Sequence, residues 1–271
     1  MSKYPFILIM CMFIAQSVFA QSYSKYFRLA NQDTVNFTFT VKKPDIKAID
    51  CYPQRITQIS KNGDNYEISL TTINPYLDGS KLAKMKEAKY EKSREYDREI
   101  ARFLQSTPLI DAQNEHIRQI ADTLFKDETQ TFIIIEKALK FVYTYLSPSD
   151  SIAKQIDAGI CRTVDVNTVI QTRKGTCSEY TNVFTALMRY MNIPTRFAVG
   201  YCYVPEWKAE STHAWPECYI EGAGWCSVDP TFPSYISPHF GMVRMRYGID
   251  YEDCDIKTLN YDIEPIEFTK R

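Results

Sequence analysis

Gly175-Thr176-Cys177-Ser178-Glu179-Tyr180 is the stretch on which the fold turns. Thr176 followed three residues later by Glu179 fits the capping-box pattern, which starts a helix at Cys177. Val183, Phe184, Leu187 and Met191 recur at helical spacing, and Pro194 predicts a stop at Asn192. A cysteine in the first helical turn meets free backbone amides and the positive end of the helix dipole, which favour a thiolate. Amides at the same end can hold an oxyanion, and Gly175 lets the backbone approach a substrate closely. A cysteine near a helix start is more often structural, so the flanking segments decide.

Those segments read as strands. Arg196 to Tyr201 leaves the helix, His213 to Ile220 follows, and Trp225 to Asp229 forms a third, with Gly222-Ala223-Gly224 as a three-residue hairpin loop. Alternation then puts His213, Trp215, Ser227 and Asp229 on one face. Pro216 hints at a bulge or an edge, and a one-residue slip would break the set. An aspartate on the histidine's face can fix the imidazole tautomer and stabilise its charge, leaving the other ring nitrogen for a thiol proton. Alone, His213 reads as a structural histidine and Asp229 as a turn cap before Pro230. Together, in the order Cys, His, Asp, they point to a nucleophilic triad.

Upstream, Val35 to Val41 alternates apolar and polar residues, and Arg55 to Ile59 and Tyr66 to Thr71 flank a turn at Asn62-Gly63-Asp64. The charged run 80–104 reads as an exposed helix, with strands bearing a charged face as the alternative. Asp111 to Leu124, Thr129 to Tyr145 and Val164 to Gln171 read as further helices, the middle one with an apolar stripe suited to the core. This gives an α+β chain: a leader over 1–20, a β-rich region over 21–105 and a catalytic region over 106–271.

The leader reading rests on Lys3, the apolar run Pro5 to Ala15 and the small-residue site Val18-Phe19-Ala20. Cleavage after Ala20 implies export, to the periplasm, the cell surface or the medium. The run is short for a membrane span, and bulky Met10 disfavours a lipoprotein reading of Cys11. Net charge is −1 and the basic residues are dispersed, which argues against nucleic-acid binding. Beyond Cys11 there are Cys51, Cys161, Cys177, Cys202, Cys218, Cys226 and Cys254. An odd count in an exported chain leaves one free thiol, for which Cys177 is suited. The other six form up to three bridges or serve as small buried apolar residues. No CxxC pair or finger-like His spacing suggests zinc, and no cofactor is expected.

At this point the chain resembles the transglutaminase-like superfamily, whose fold and triad are related to papain-like thiol enzymes. The matching text is Lys174 to Tyr180, Gly200-Tyr201, His213-Ala214-Trp215-Pro216-Glu217, and Gly224 to Thr231. Gly248 to Asp253 looks like a motif that bacterial members carry after the triad. The resemblance covers about residues 108–258. It implies Cys177 as nucleophile, His213 as general base and acid, and Asp229 as the orienting group. It also implies an oxyanion or substrate contribution from an upstream residue, for which Tyr145 or Tyr143 lies in the right region, with Gly175 and Trp215 at the same site. Nothing resembles the calcium sites of the animal cross-linking enzymes, so no calcium requirement is expected. The implied substrate is a peptide or protein, cell-wall peptide among the candidates. The implied activity is protease or amidase, with glutamine acyl transfer or a non-catalytic binding module as alternatives.

Overall fold

A computed structural model describes residues 34–74, 76–158, 160, 163–204, 209–232 and 242–255. The leader lies outside these residues, as do Cys161 and the side chain of Cys202.

The alternating stretch forms β1 (Thr34–Lys42), which buries Phe37, Phe39 and Val41. A four-residue helix, α1 (Ile46–Ile49), leads into the hairpin β2 (Gln54–Asn62) and β3 (Asn65–Ile73). Gly63 turns that hairpin with φ +62°, a left-handed conformation that glycine adopts without strain. The sheet is antiparallel in the order β1-β3-β2. Its apolar face joins the same continuous core as the helices that follow.

The charged run departs from its reading as one helix. Asp78 caps α2 (Gly79–Glu87) by accepting from the Ser80 and Lys81 amides, but the helix stops at Glu87. Beyond it the chain turns extended and pairs with the segment before the next long helix. Tyr90 N–H donates to Thr129 O, and Thr131 N–H donates to Ala88 O. Only a short turn, α3 (Arg98–Ala101), is helical again before the 3₁₀ turn Arg102–Leu104. Backbone pairing that was invisible in a charge pattern outweighs helix propensity here.

Then come α4 (Glu115–Leu124) and α5 (Thr131–Tyr145). The first starts four residues later than its spacing predicts, because Asn114 is the cap that accepts from His116 N–H (3.0 Å). After α5 the two-residue strand β4 (Ser147–Pro148) pairs parallel with β5 (Lys174–Gly175), across α6 (Asp150–Asp157) and α7 (Val166–Thr172). The bridge sets Gly175 directly before α8 (Cys177–Tyr190), the central helix, which is buried from Ser178 to Arg189. Met191 caps its C-terminus, and Asn192 takes the left-handed conformation that ends it.

The second sheet runs β6 (Thr195–Val204), β7 (Ala209–Ile220), β8 (Gly224–Ser227) and β9 (Met242–Gly248), antiparallel, in the order β8-β7-β6-β9. The hairpin loop is Glu221–Ala223, one residue earlier than its glycines suggest, and Cys218 faces Cys226 across it. That shift preserves the parity of the faces, so His213, Trp215 and Ser227 still share one side. Pro216 sits mid-strand without a bulge against β6. Its carbonyl accepts from Val228 N–H (3.0 Å), so its ring nitrogen faces the β8 side just where β8 has ended, and no ladder bond is lost.

Gly200 pairs with His213, and a Cβ on it would lie 1.9 Å from the Val243 carbonyl oxygen. Gly200→Ala is therefore expected to force β6 and β9 apart and cost roughly 1–3 kcal/mol. Thermal unfolding reads this, and an unchanged midpoint would refute it.

Among the described residues, no helix is long and apolar enough to cross a membrane. Cys51, Cys177, Cys218, Cys226 and Cys254 are free thiols, and Cys218, Cys226 and Cys254 pack as small buried apolar groups.

Candidate active site

Cys177 opens α8 as the sequence predicts. Glu179, one turn on, is fully buried and reaches back to the cap: its Oε2 accepts from the Thr176 N–H and hydroxyl, both at 2.7 Å. Its Oε1 accepts from the Thr163 hydroxyl (3.0 Å) and Val164 N–H (2.9 Å). One carboxylate thus fixes the helix start and ties the 163–164 segment to it. Gly175 is explained by this packing rather than by substrate approach, since a Cβ there would lie 2.4 Å from the Glu179 Cβ.

Helix α8 lies against an uncovered edge of β7. Strand β8 pairs with Glu217–Ile220, and among the described residues no strand lies beside those before Pro216 on that side. The Thr181 hydroxyl donates to Ala214 O (3.3 Å) there, stitching the helix to the strand beside His213. His213 Nε2 lies 2.9 Å from Asp229 Oδ2, and the Cys177 side chain is the other group that raises the ring's pKa. With Nε2 engaged by the carboxylate, Nδ1 is the nitrogen left for sulfur.

Asp229 lies two residues beyond β8, in a turn rather than on a strand. It is fully buried. Thr231 holds its second oxygen, donating to Oδ1 from both N–H (2.9 Å) and hydroxyl (2.6 Å). That leaves Oδ2 aimed at the imidazole. Thr231 positions Asp229, and its signal in the sequence is the Asx-turn habit of Asp followed two residues later by Thr.

Burial opposes a charge on His213, but the Asp229 carboxylate and then Cys177 outweigh it. The imidazole pKa is raised well above its ordinary value. The arrangement therefore favours an imidazolium beside the Cys177 sulfur at a helix N-terminus, the electrostatic setting in which a cysteine serves as a nucleophile.

The remaining expected residues sit elsewhere. Trp215 is 1% exposed; its ring stacks on His213, with centroids 6.0 Å apart, from within the fold. The Tyr145 hydroxyl donates to Ile170 O (3.1 Å) on α7, and its ring is stacked on Phe141 and covered by Arg173. Tyr143 lies near Tyr180. The structure thus brings together Cys177, His213 and Asp229, with Trp215 behind the histidine. Among the described residues, no group of three or more His, Cys, Asp or Glu could hold a metal ion.

Residues 118–230 match the transglutaminase-like superfamily. Among solved structures, the chain is similar to a "Putative Cysteine Protease from Cytophaga hutchinsonii". Identity is 18%, coverage 88% of this chain and 86% of that one, and the TM-score 0.57. That span takes in much more than residues 118–230, so part of the N-terminal region belongs to the shared fold. More distant matches are a "putative protease" from Parabacteroides distasonis (14% identity, TM-score 0.32) and the transglutaminase of red sea bream (13%, 0.26). They cover 75% and 73% of this chain, and the chain spans only 42% and 46% of their lengths. Among curated proteins, no relative matches. The chain has a transglutaminase/papain-like superfamily fold, with a Cys-His-Asp arrangement typical of the thiol hydrolases and acyltransferases built on it.

Proposed function

We propose that this chain, built on the transglutaminase-like fold, is an exported thiol hydrolase that cleaves peptide or carboxamide bonds through a thioester on Cys177. The observation that supports this most is His213 held between the buried Asp229 carboxylate and the Cys177 thiol. In the reactive state the thiol's proton already rests on His213 Nδ1, and the Cys177 thiolate attacks the carbonyl carbon. The carbonyl π electrons move onto oxygen, and backbone amides at the start of α8 stabilise that oxyanion. Collapse expels the amine, which takes the proton from His213, and leaves an acyl-Cys177 thioester. Water, deprotonated by His213, attacks the thioester, and its collapse returns the sulfur and the proton to the resting pair. The leader over residues 1–20, with cleavage after Ala20, and a peptide or protein substrate belong to the same proposal. Hydrolysis is favoured over amine transfer because, among the described residues, no feature of the site selects an amine acceptor.

The test is labelling followed by product analysis. Iodoacetamide is expected to modify Cys177 at neutral pH much faster than buried Cys218, Cys226 or Cys254. A peptide library treated with the wild type, beside Cys177→Ala, is expected to show hydrolysis products with the wild type only. Amine conjugates in place of those products would indicate acyl transfer. A Cys177 that labels no faster than the buried thiols would sink the enzymatic reading in favour of a binding module.

A further inference from the structure

Behind the His213–Trp215 stack lies a buried ionic network that the reaction does not use directly. Glu217 follows on the same face of β7 and is 1% exposed. Its Oε2 accepts from Arg196 Nε (2.5 Å). Its Oε1 accepts from Arg244 Nη1 (2.6 Å), the Ser227 hydroxyl (2.9 Å) and the Trp215 indole N–H (3.4 Å). Arg196 is itself held between the rings of Trp225 and Tyr247. Burial opposes the Glu217 charge, but the two guanidiniums overcome it and hold the carboxyl at about 2.

The network continues into the N-terminal region. Arg244 donates from Nε to Ala48 O (3.0 Å) and from Nη2 to Cys51 O (2.5 Å). Its backbone N–H donates to Gln54 Oε1, and its carbonyl accepts from Gln54 Nε2 (3.0 Å). A chain of contacts therefore runs from residues 48–54 through Arg244 and Glu217 to the indole on which His213 rests. Buried ion clusters add little net stability over apolar side chains of equal volume. What this one supplies is orientation, because every oxygen of Glu217 is aimed and the indole has one hydrogen-bond direction to follow.

We propose that Glu217 is a positioning residue for His213, acting through Trp215, and that the segment Ala48–Gln54 is the brace that holds it in place. This rests on the thiol-enzyme reading of the site. The groups that face His213 itself are Cys177 from α8 and Asp229 beyond β8, with Trp215 beside it on β7 and Gly200 opposite on β6. The brace sets the ring's angle between the first two. It gives the N-terminal region a part in the chemistry although no residue of that region touches the imidazole among the described contacts.

The test uses the full chain and the pH profile of Cys177 alkylation by iodoacetamide, which needs no known substrate. Trp215→Phe keeps an aromatic ring beside His213 and removes the N–H tether to Glu217. Gln54→Leu removes the hydrogen bonds to Arg244 from the far end. Both are expected to slow alkylation at neutral pH roughly tenfold and to move the alkaline limb, read well below each variant's unfolding midpoint so that lost stability does not enter. Glu217→Gln is expected to act in the same direction more strongly; should it fail to fold, the other two variants decide. Folded Trp215→Phe and Gln54→Leu proteins whose profiles superimpose on a fast-labelling wild type would overturn the positioning role alone. A slow-labelling wild type would instead overturn the thiol-enzyme reading and this inference with it.

Discussion

Asp229→Asn is expected to lower turnover by roughly three to four orders of magnitude while leaving the fold nearly intact. The amide can still accept from Thr231, so the turn that places residue 229 should persist. It cannot supply the negative charge that holds His213 protonated. With that charge gone, burial dominates and the imidazole pKa falls. The pH dependence follows from the direction of this shift. In the wild type, His213 binds its proton more tightly folded than unfolded. Its contribution to stability is fully present below the unfolded value near 6.5 and is lost as pH rises through the raised folded value. Alkylation of Cys177 should hold up across neutral pH, where His213 keeps its charge, and turn only above it. In Asp229→Asn the stabilisation disappears and the charged pair is depleted at neutral pH. Rates of Cys177 alkylation and unfolding midpoints against pH measure both effects. A variant whose two profiles match the wild type would remove Asp229 from the mechanism.

Arg189→Met should do the reverse, destabilising the fold while sparing the chemistry. Arg189 is buried at the last turn of α8, and it donates to three backbone carbonyls on separate elements. Nη1 reaches Gln105 O (2.7 Å), Nε and Nη2 reach Thr195 O (3.2 and 2.9 Å), and Nη2 also reaches Ile249 O. Burial lowers its pKa, with partial relief from Asp250, to about 10, so it remains charged at neutral pH. Methionine fills similar space but strands those carbonyls in the interior. The loss, partly offset by no longer burying a charge, is expected to be about 2–4 kcal/mol. For a chain of this size that lowers the unfolding midpoint on the order of 10 °C. Activity below the transition should be near normal. A midpoint within two degrees or so of the wild type would show that water satisfies those carbonyls instead.

How much of this was legible depends on whether the signal was local. The helix start at Cys177 is written within four residues, and its capping carboxylate is where the pattern puts it. The shared face of His213 and Ser227 survived a hairpin loop placed one residue off, because only parity mattered. The turn at Asp229 was read as strand, since Val228 continues the apolar rhythm past the last ladder pair. Strand β9 was missed for a different reason. Met242-Val243-Arg244-Met245-Arg246 alternates, but an arginine on an alternating strand reads as facing solvent. Arg244 is instead 1% exposed, because Glu217 meets it from β7 and carbonyls meet it from residues 48–51. No local pattern announces a partner almost two hundred positions away. Tyr145 shows the converse: position along the chain pointed to the site, while its hydroxyl had a nearer acceptor on α7.

The bond between Gln54 and Arg244 spans 190 residues of sequence. Chains emerge from the ribosome N-terminus first, so the early half of this contact must wait for 190 further residues before it can close. Contacts of such separation form late and slowly. If the histidine is aligned only when that contact is made, a nascent or partly folded chain carries an ordinary cysteine. The thiol then acquires its reactivity as one of the last events of folding, so the order of folding itself delays the nucleophile.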